Sequence, residues 1–327
     1  MKKSLIALAV LAASSAAMAQ SSVTVYGRVD LSVGSLKELN KGSMTKLFNG
    51  GDGGLTTSRL GFRGTEDLGG GLSAGFKLEH RFNADEGTTQ DPFWKGESTV
   101  NLSGGFGSVK LGRSLTLYDD VRGLANSANV FDSAFTPAAN GVWGSGGDYS
   151  SRFNNKITYT LPALGGVYGG LEYALDEDPA VKANMLAAKV GYKAGPLDVA
   201  LGIQQEKGKE NDYMLLAGSY DLGMVKLSGG YNTRSGNAKN GDDKELQAGV
   251  IVPLGSAVNL SFSVANSKTT IAGATAAKAS GIGIGATYAL SKRTTVYGGF
   301  RTHNIKNAAG TKTADTRLVA FGLRHDF

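Results

Sequence analysis

From residue 22 onward, hydrophobic and polar side chains alternate with a period of two, the repeat of extended strands with one face turned to apolar surroundings and the other to water. In the first such segment Val23, Val25, Val29, Leu31 and Val33 share one face, while Thr24, Tyr26, Arg28, Asp30 and Ser32 share the other. From residue 72 to 82, Leu72, Ala74, Phe76, Leu78 and Phe82 oppose Ser73, Lys77, Glu79 and Arg81. Continued to the end, the pattern predicts sixteen strands: 22–34, 57–65, 71–82, 94–103, 107–113, 152–161, 166–175, 184–193, 196–206, 212–221, 223–233, 243–253, 256–267, 279–290, 293–304 and 316–327. Most have about ten residues, the length with which a tilted strand crosses the hydrocarbon layer of a bilayer.

The connections alternate too. Seven are short (66–70, 104–106, 162–165, 194–195, 222, 254–255 and 291–292), and they interleave with eight that are mostly longer and more polar. The longest spans 114–151, and 271–279 is read mostly as an external loop. Such a meander has every tight turn at one end, and an even strand count places both termini there, as in outer-membrane barrels. The prolines agree. Pro92, Pro137 and Pro179 fall in long loops, and Pro162, Pro196 and Pro253 at turns or strand ends, so none removes a ladder hydrogen bond mid-strand. In the last segment Val319, Phe321, Leu323, His325 and Phe327 share a face.

Sixteen strands in an open sheet would leave two exposed edges and would curl or split. Closure removes the edges, and in lipid it satisfies every backbone polar group. The expected fold is therefore all-β: a 16-stranded antiparallel transmembrane β-barrel, apolar outside and charged inside.

Composition sharpens this picture. Ahead of the strands, Lys2 and Lys3 precede an apolar run at 4–13, and Ala17, Met18 and Ala19 form a small-x-small cleavage pattern. Residues 1–19 are read as a signal peptide and 20–327 as the barrel domain. No run of about 18 apolar residues follows, so no helical span is expected. The mean hydropathy of −0.13 is what a barrel with half its side chains facing water would have. The chain has no cysteine, which excludes disulfide staples, thiolate metal sites and thiol catalysis. Its 48 glycines suit curved strands in close contact.

A specific block, Thr57-Ser58-Arg59-Leu60-Gly61-Phe62-Arg63-Gly64-Thr65-Glu66-Asp67-Leu68-Gly69-Gly70-Gly71-Leu72, resembles the general (non-specific) porins of Gram-negative bacteria, most closely their β-proteobacterial branch. Val25-Tyr26-Gly27, residues 107–113 and Arg152-Phe153-Asn154-Asn155 support it, and the resemblance covers the whole chain after residue 19. It implies a homotrimer of 16-stranded barrels in the outer membrane, surrounded by lipid and lipopolysaccharide. It also implies a long third loop folded into the lumen, and passive diffusion of small hydrophilic solutes and ions without cofactor or catalysis.

Such a channel works through fixed charges at its narrowest point, where the charge of the lining sets selectivity. By the family pattern, Arg28, Arg59 and Arg152 are the basic wall positions, and Arg81 joins them by its inward register. Arginine stays charged and forks to anions. On the third loop Asp119, Asp120 and Asp132 are the acidic candidates, since the Pro-Glu-Phe-like tip of the family is absent; Glu79 is the fourth, beside Arg81 on the wall. Arg63, Lys77 and Lys95 line the lumen elsewhere. The expected selectivity is a mild preference for anions, tempered by Glu97.

Other classes fit less well. A barrel enzyme needs a paired nucleophile and base. The histidines are His80, His303 and His325, with His80 and His325 on lipid-facing positions, and no metalloprotease His-Glu-x-x-His element is present. Gly71-Leu72-Ser73-Ala74-Gly75 has the letters of a nucleophile elbow but opens a strand, with Ser73 and His80 on opposite faces. A sugar channel would carry a ladder of inward aromatics, and only Tyr26, Tyr168 and Tyr297 stand out; a channel preferring phosphorylated or other anionic solutes is the nearest alternative. A soluble propeller would show a repeat of about 40–50 residues, which is absent. The net charge of +6 is interleaved with acids rather than clustered, which argues against nucleic acid as a partner. Acidic loop residues such as Asp176 to Asp178 or Asp242 and Asp243 are candidate divalent-ion contacts.

Overall fold

The computed structural model describes residues 22–50, 53–126, 149–177, 183–236 and 241–327. Its first strands are β1 (Ser22–Lys37), β2 (Ser43–Asn49), β3 (Arg59–Gly69), β4 (Leu72–Asn83), β5 (Thr88–Thr89), β6 (Glu97–Gly104) and β7 (Gly107–Leu115). A helix, α1 (Leu117–Ala125), follows. Then come β8 (Arg152–Thr160), β9 (Val167–Ala174), β10 (Met185–Ala194), β11 (Leu197–Glu206), β12 (Asn211–Asp221) and β13 (Lys226–Ser235). The last five are β14 (Asp242–Leu254), β15 (Val258–Ile271), β16 (Ala274–Ala289), β17 (Thr294–Asn307) and β18 (Lys312–Asp326).

Sixteen of these form the barrel wall, each antiparallel to the next, and they are the sixteen segments expected from the alternation. Closure comes from β1, which pairs with β18 from Arg28 opposite Asp326 to Lys37 opposite Arg317. A pair of 3.0 Å hydrogen bonds between the backbones of Gly27 and Phe327 extends this seam to the end of the chain. The other edge of β1 is shared. Its first half pairs with β3, from Ser22 opposite Thr65 to Arg28 opposite Arg59; its second half pairs with β2, from Leu31 opposite Asn49 to Lys37 opposite Ser43. β2 and the two-residue β5 are additions within the first and second loops.

The burial pattern identifies the two faces. On β12, Asn211, Tyr213, Leu215, Ala217 and Ser219 are buried, while Met214 and Leu216 between them and Tyr220 after them are exposed. Exposed large apolar side chains recur on every wall strand, among them Val25, Phe76, Val100, Leu171, Leu216, Ile284 and Phe321. In water such a surface would be unfavourable at about 25 cal/mol per Å²; facing hydrocarbon, it is the lipid belt of the barrel.

The loop end departs from expectation in two places. Residues 271–279 are not a loop. β15 and β16 run to a two-residue turn at Ala272 and Gly273, with φ of 50° and 80°, so the hairpin extends the wall outward. Such φ pairs belong to the turn type whose twist matches paired strands. The connections at 207–210 and 308–311 are also as short as the opposite turns. Polar residues there made strand and loop look alike, because the wall above the bilayer is wet on both faces. The second departure is at His80. It lies on the outer face of β4 yet is buried, because Phe93 of the second loop stacks on its ring at 4.2 Å. Trp94 packs edge-on against Phe62 of the wall and against Phe93, with ring centroids at 6.5 and 4.9 Å.

Candidate pore-lining site

The inner face is built in rows set by strand register, each sloping with the tilt of the strands. Arg28 of β1 stands opposite Arg59 of β3, which stands opposite Arg81 of β4. The row beneath holds Tyr26, Gly61, Glu79 and Glu97. The next holds Thr24, Arg63, Lys77 and Thr99. Like charges opposite each other repel, so three arginines in a row need a counter-charge. Glu79 supplies it: its Oε1 lies 3.6 Å from Arg59 Nη1 and 3.2 Å from Arg81 Nη2, and its Oε2 accepts from the Tyr26 hydroxyl at 3.2 Å. Arg28 pairs with Asp326 at 2.9 Å, and Arg324 reaches the same carboxylate at 3.2 Å.

Close backbone approach makes this packing attainable. A Cβ on Gly61 would stand 2.3 Å from the Tyr26 ring, and one on Gly96 would stand 2.3 Å from Glu79 Oε1. Glycine at these positions lets the ring cross the neighbouring strand and the carboxylate fold beneath the arginines. Arg63 lies over the Tyr26 ring, 5.3 Å from its centre.

Arg152, at the start of β8, comes to this cluster from the far side. Its Nε donates to Gly96 O at 2.9 Å, and its charge is within reach of Glu79, Arg59, Arg113 and Asp119. Arg113 donates to Lys95 O at 3.2 Å and to Asn154 Oδ1 at 2.7 Å. Reading by alternation alone passed over Arg113, because a register shift between Gly112 and Ser114 moves it relative to β8. Lys77 and Lys110 both reach Glu97, at 2.8 and 3.6 Å, so that carboxylate is matched within its own part of the wall. The half-buried Lys95 offers the cluster its backbone carbonyl.

The acidic candidates on the third loop separate. Thr116 caps α1, its Oγ1 accepting from Asp119 N at 3.2 Å, and Asp119 and Asp120 fill the first turn, where the helix dipole favours negative charge. Asp119 turns toward Arg152 and accepts a hydrogen bond from the Tyr149 hydroxyl, with Arg122 Nη1 at 3.9 Å. Burial pushes its carboxyl above the ordinary range, although the cations beside it pull the other way. Asp120 instead pairs with Lys189 of β10 at 2.7 Å. Asp132 lies outside the described residues.

α1 itself is held on the inner face. Leu117, Tyr118, Val121 and Ala125 form its buried side, and the last three pack with Tyr149 against Ala200, Tyr213, Leu215 and Ala217. Leu117 N donates to Glu172 Oε1 at 2.9 Å, Tyr118 donates to Asn232 Oδ1, and the Ser228 hydroxyl donates to Ala125 O at 2.9 Å. One nine-residue helix thus touches side chains from β9 to β13, which only the concave side of a curved wall permits. Beneath its N-terminus Lys156 and Glu172 form a 2.7 Å ion pair with side chains 1% and 0% exposed. Lys156 also donates to Leu115 O, and Thr158 donates to Glu172 Oε2 at 3.1 Å.

The three inward tyrosines singled out from the alternation do not form a ladder. Tyr26, Tyr168 and Tyr297 each donate to a different wall carboxylate, Glu79, Asp198 and Asp30. Ser73 and His80 lie on opposite faces, and the His80 ring meets the Phe93 carbonyl rather than a hydroxyl nucleophile.

The model of the family described as Gram-negative porin matches residues 5–308. Among curated proteins, outer membrane porin protein 32 of Delftia acidovorans is 37% identical over the full length of both chains. An outer membrane porin of Bordetella pertussis is 30% identical, again over both full lengths. Among solved structures, an anion-selective porin from Comamonas acidovorans superposes with a TM-score of 0.76 at 31% identity, covering 94% of this chain and all of that one. An outer membrane protein of Vibrio cholerae, OmpT, shares the fold at a TM-score of 0.72 and 16% identity. With its closed wall, wet inner face and lipid belt, the chain belongs to the Gram-negative porin family: it is a passive channel of the outer membrane, not an enzyme.

Proposed function

We propose that this porin is weakly anion-selective and that Arg28, Arg59, Arg81 and Arg152 form the positive wall of its narrowest point. The third loop narrows the lumen there, with Asp119 facing Arg152. The observation that carries this reading is the single register row Arg28–Arg59–Arg81, joined by Arg152 from across Gly96. In the same zone lie Arg113 and Arg324, against the carboxylates Glu79, Asp119 and Asp326. Six guanidinium groups against three carboxylates leave a positive excess, and low-dielectric walls focus its field on passing ions. Asp120 is spent on Lys189 and takes a smaller part; Asp132 remains a candidate on the same loop. Lys77, Lys95 and Arg63 tune the approach rather than the narrowest point.

The likeness to an anion-selective porin at 31% identity supports the same sign. We further propose that the barrels assemble as homotrimers and that residues 1–19 are removed on export to leave the barrel domain from 20 to 327. The deciding experiment is a zero-current potential across a KCl gradient in a planar bilayer. A reversal potential toward chloride, moved toward potassium by Arg59→Ala, is the expected result. Cation selectivity in the wild type would overturn the assignment.

A further inference from the structure

The two strands that share one edge of β1 leave a surplus of chain between them. β3 pairs as far as Arg59, opposite Arg28, and β2 takes over with Asn49, opposite Leu31. On β1 only Val29 and Asp30 separate the two pairings, whereas residues 50–58 separate them on the other side. That excess is far beyond what a β-bulge takes up, so the chain must leave the plane of the wall.

It leaves toward the lumen. Leu55 packs with Phe48 against Tyr297, Leu318 and Ala320 of the inner face. Asp30, on the same face, pins the segment: its Oδ2 accepts from Thr56 N at 2.8 Å, its Oδ1 accepts from the Tyr297 hydroxyl, and its own N–H donates to Ser58 Oγ at 3.0 Å. Ser32 Oγ donates to Gly53 O at 2.7 Å. Gly50 begins the departure at a φ of 58°, where a Cβ would stand 2.4 Å from Thr56 O. Asp30, Ser32, Thr56 and Ser58 are all buried, and a buried polar network whose members are paired holds one conformation.

This inward segment meets the arginine row directly. Arg59 Nε donates to Thr57 O at 3.2 Å and Arg59 Nη2 donates to Thr56 Oγ1, while Glu79 Oε1 lies 3.6 Å from Nη1. The two kinds of partner act differently on a pore. A carboxylate holds a guanidinium and cancels its charge; a carbonyl and a hydroxyl hold it and leave the charge to act on passing ions. Arg28 and Arg81 stand on either side and repel Arg59. Without its neutral acceptors, Arg59 would settle onto Glu79.

The segment also stands across the lumen from α1. Going round the sixteen-stranded wall, β11 is the eighth strand from β1 in either direction. α1 docks around β11, on Ala200 and on Tyr213 of β12, whereas the inward segment docks on β1, β17 and β18 through Asp30, Tyr297 and Leu318. Arg152 connects the two: its charge is within reach of Arg59, held by the segment, and of Asp119, in the first turn of α1.

Resting on the assignment of the arginine wall to the narrowest point, we propose that residues 53–58 of the first loop form a second constricting element of the pore, and that Thr56 and Thr57 position Arg59 so that its charge stays available to anions.

The test uses the folded full barrel and two readouts, the chloride-to-potassium permeability ratio in a planar bilayer and the rates at which arabinose and sucrose enter proteoliposomes. Thr56→Val keeps the side-chain shape and removes the hydroxyl; the permeability ratio falls part of the way to that of Arg59→Ala. Thr56→Ser keeps the hydroxyl and the wild-type ratio. Asp30→Val removes the acceptor that pins the segment, and the rate of sucrose entry relative to arabinose rises. Ser32→Ala, which removes only the bond to the Gly53 carbonyl, raises it less and serves if Asp30→Val does not fold. A wild-type permeability ratio in Thr56→Val would overturn the positioning role, as would an equal fall in Thr56→Ser. An unchanged sucrose-to-arabinose ratio in folded Asp30→Val, or in Ser32→Ala where Asp30→Val does not fold, would overturn the constriction. Cation selectivity in the wild type together with faster sucrose entry in these variants would instead overturn the arginine wall and support the constriction.

Discussion

Arg59 of β3 stands directly across from Arg81 of β4, and a single carboxylate, Glu79, reaches both guanidinium groups at 3.6 and 3.2 Å. The wall thus concentrates positive charge while keeping it locally balanced. Glu79→Gln removes the balance and leaves the Tyr26 bond. It is expected to destabilise the barrel by about 1–3 kcal/mol and to move the zero-current potential further toward chloride. A Glu79→Gln channel with unchanged selectivity would place the pair away from the ion path.

The arginines differ in what their loss exposes. Arg59→Ala removes a cation and frees part of Glu79, whereas Arg152→Ala removes a cation bonded to the Gly96 carbonyl. Both are expected to shift reversal toward potassium, Arg59→Ala the more strongly. Arg63→Ala, one step away over the Tyr26 ring, is expected to shift it less. Bilayer measurements on the three variants at one salt gradient give the order directly.

The Lys156–Glu172 pair anchors the beginning of α1 and is closed to solvent. Removing one partner of such a pair leaves a buried charge and costs about 3–5 kcal/mol, while replacing both with apolar groups costs far less. Lys156→Met alone is therefore expected to lower the temperature at which the folded barrel loses its compact gel mobility. Lys156→Met/Glu172→Leu is expected to recover part of that loss. Additive losses would show that the pair is not the anchor.

Asp119 has its carboxyl raised by burial, so it takes up a proton at a higher pH than an ordinary aspartate, whose value is near 4. As pH falls from neutrality toward that value, one negative charge opposite Arg152 disappears. Anion preference is expected to rise on acidification across this window. Asp119→Asn is expected to show the acidic value already at neutral pH and to lose the dependence. A parallel pH profile in wild type and variant would remove Asp119 from the ion path.

Gly96 lies against Glu79 so closely that a methyl group would stand 2.3 Å from Oε1. Gly96→Ala must displace the carboxylate from the arginines or the backbone carbonyl from Arg152. A loss of about 1–3 kcal/mol is expected, with a conductance change that Gly105→Ala, which meets nothing within 4 Å, does not share. Equal behaviour of the two variants would show that the approach is not limiting.

Much of this molecule is local and therefore visible in one dimension. Alternation placed all sixteen wall strands, because a strand between lipid and water must present opposite chemistry on successive residues. It also placed Arg28, Arg59, Arg63, Lys77, Glu79 and Arg81 on one face. The same rule failed at 271–279, where both faces of the β15–β16 hairpin are wet; it set His80 on the outer face, where it lies, but gave no sign that Phe93 of the second loop covers it.

The sequence by itself determined the repeat, the strand count, the sidedness of most wall residues and the family block from Thr57 to Leu72. Only the tertiary structure decided which charges meet. Register set Arg28, Arg59 and Arg81 in one row, closure brought β1 to β18, and the docking of α1 gave Asp120 to Lys189 while turning Asp119 toward Arg152. The reason is physical: sidedness depends on each residue's immediate neighbours, whereas pairing depends on where strands and loops distant in the chain come to rest against one another.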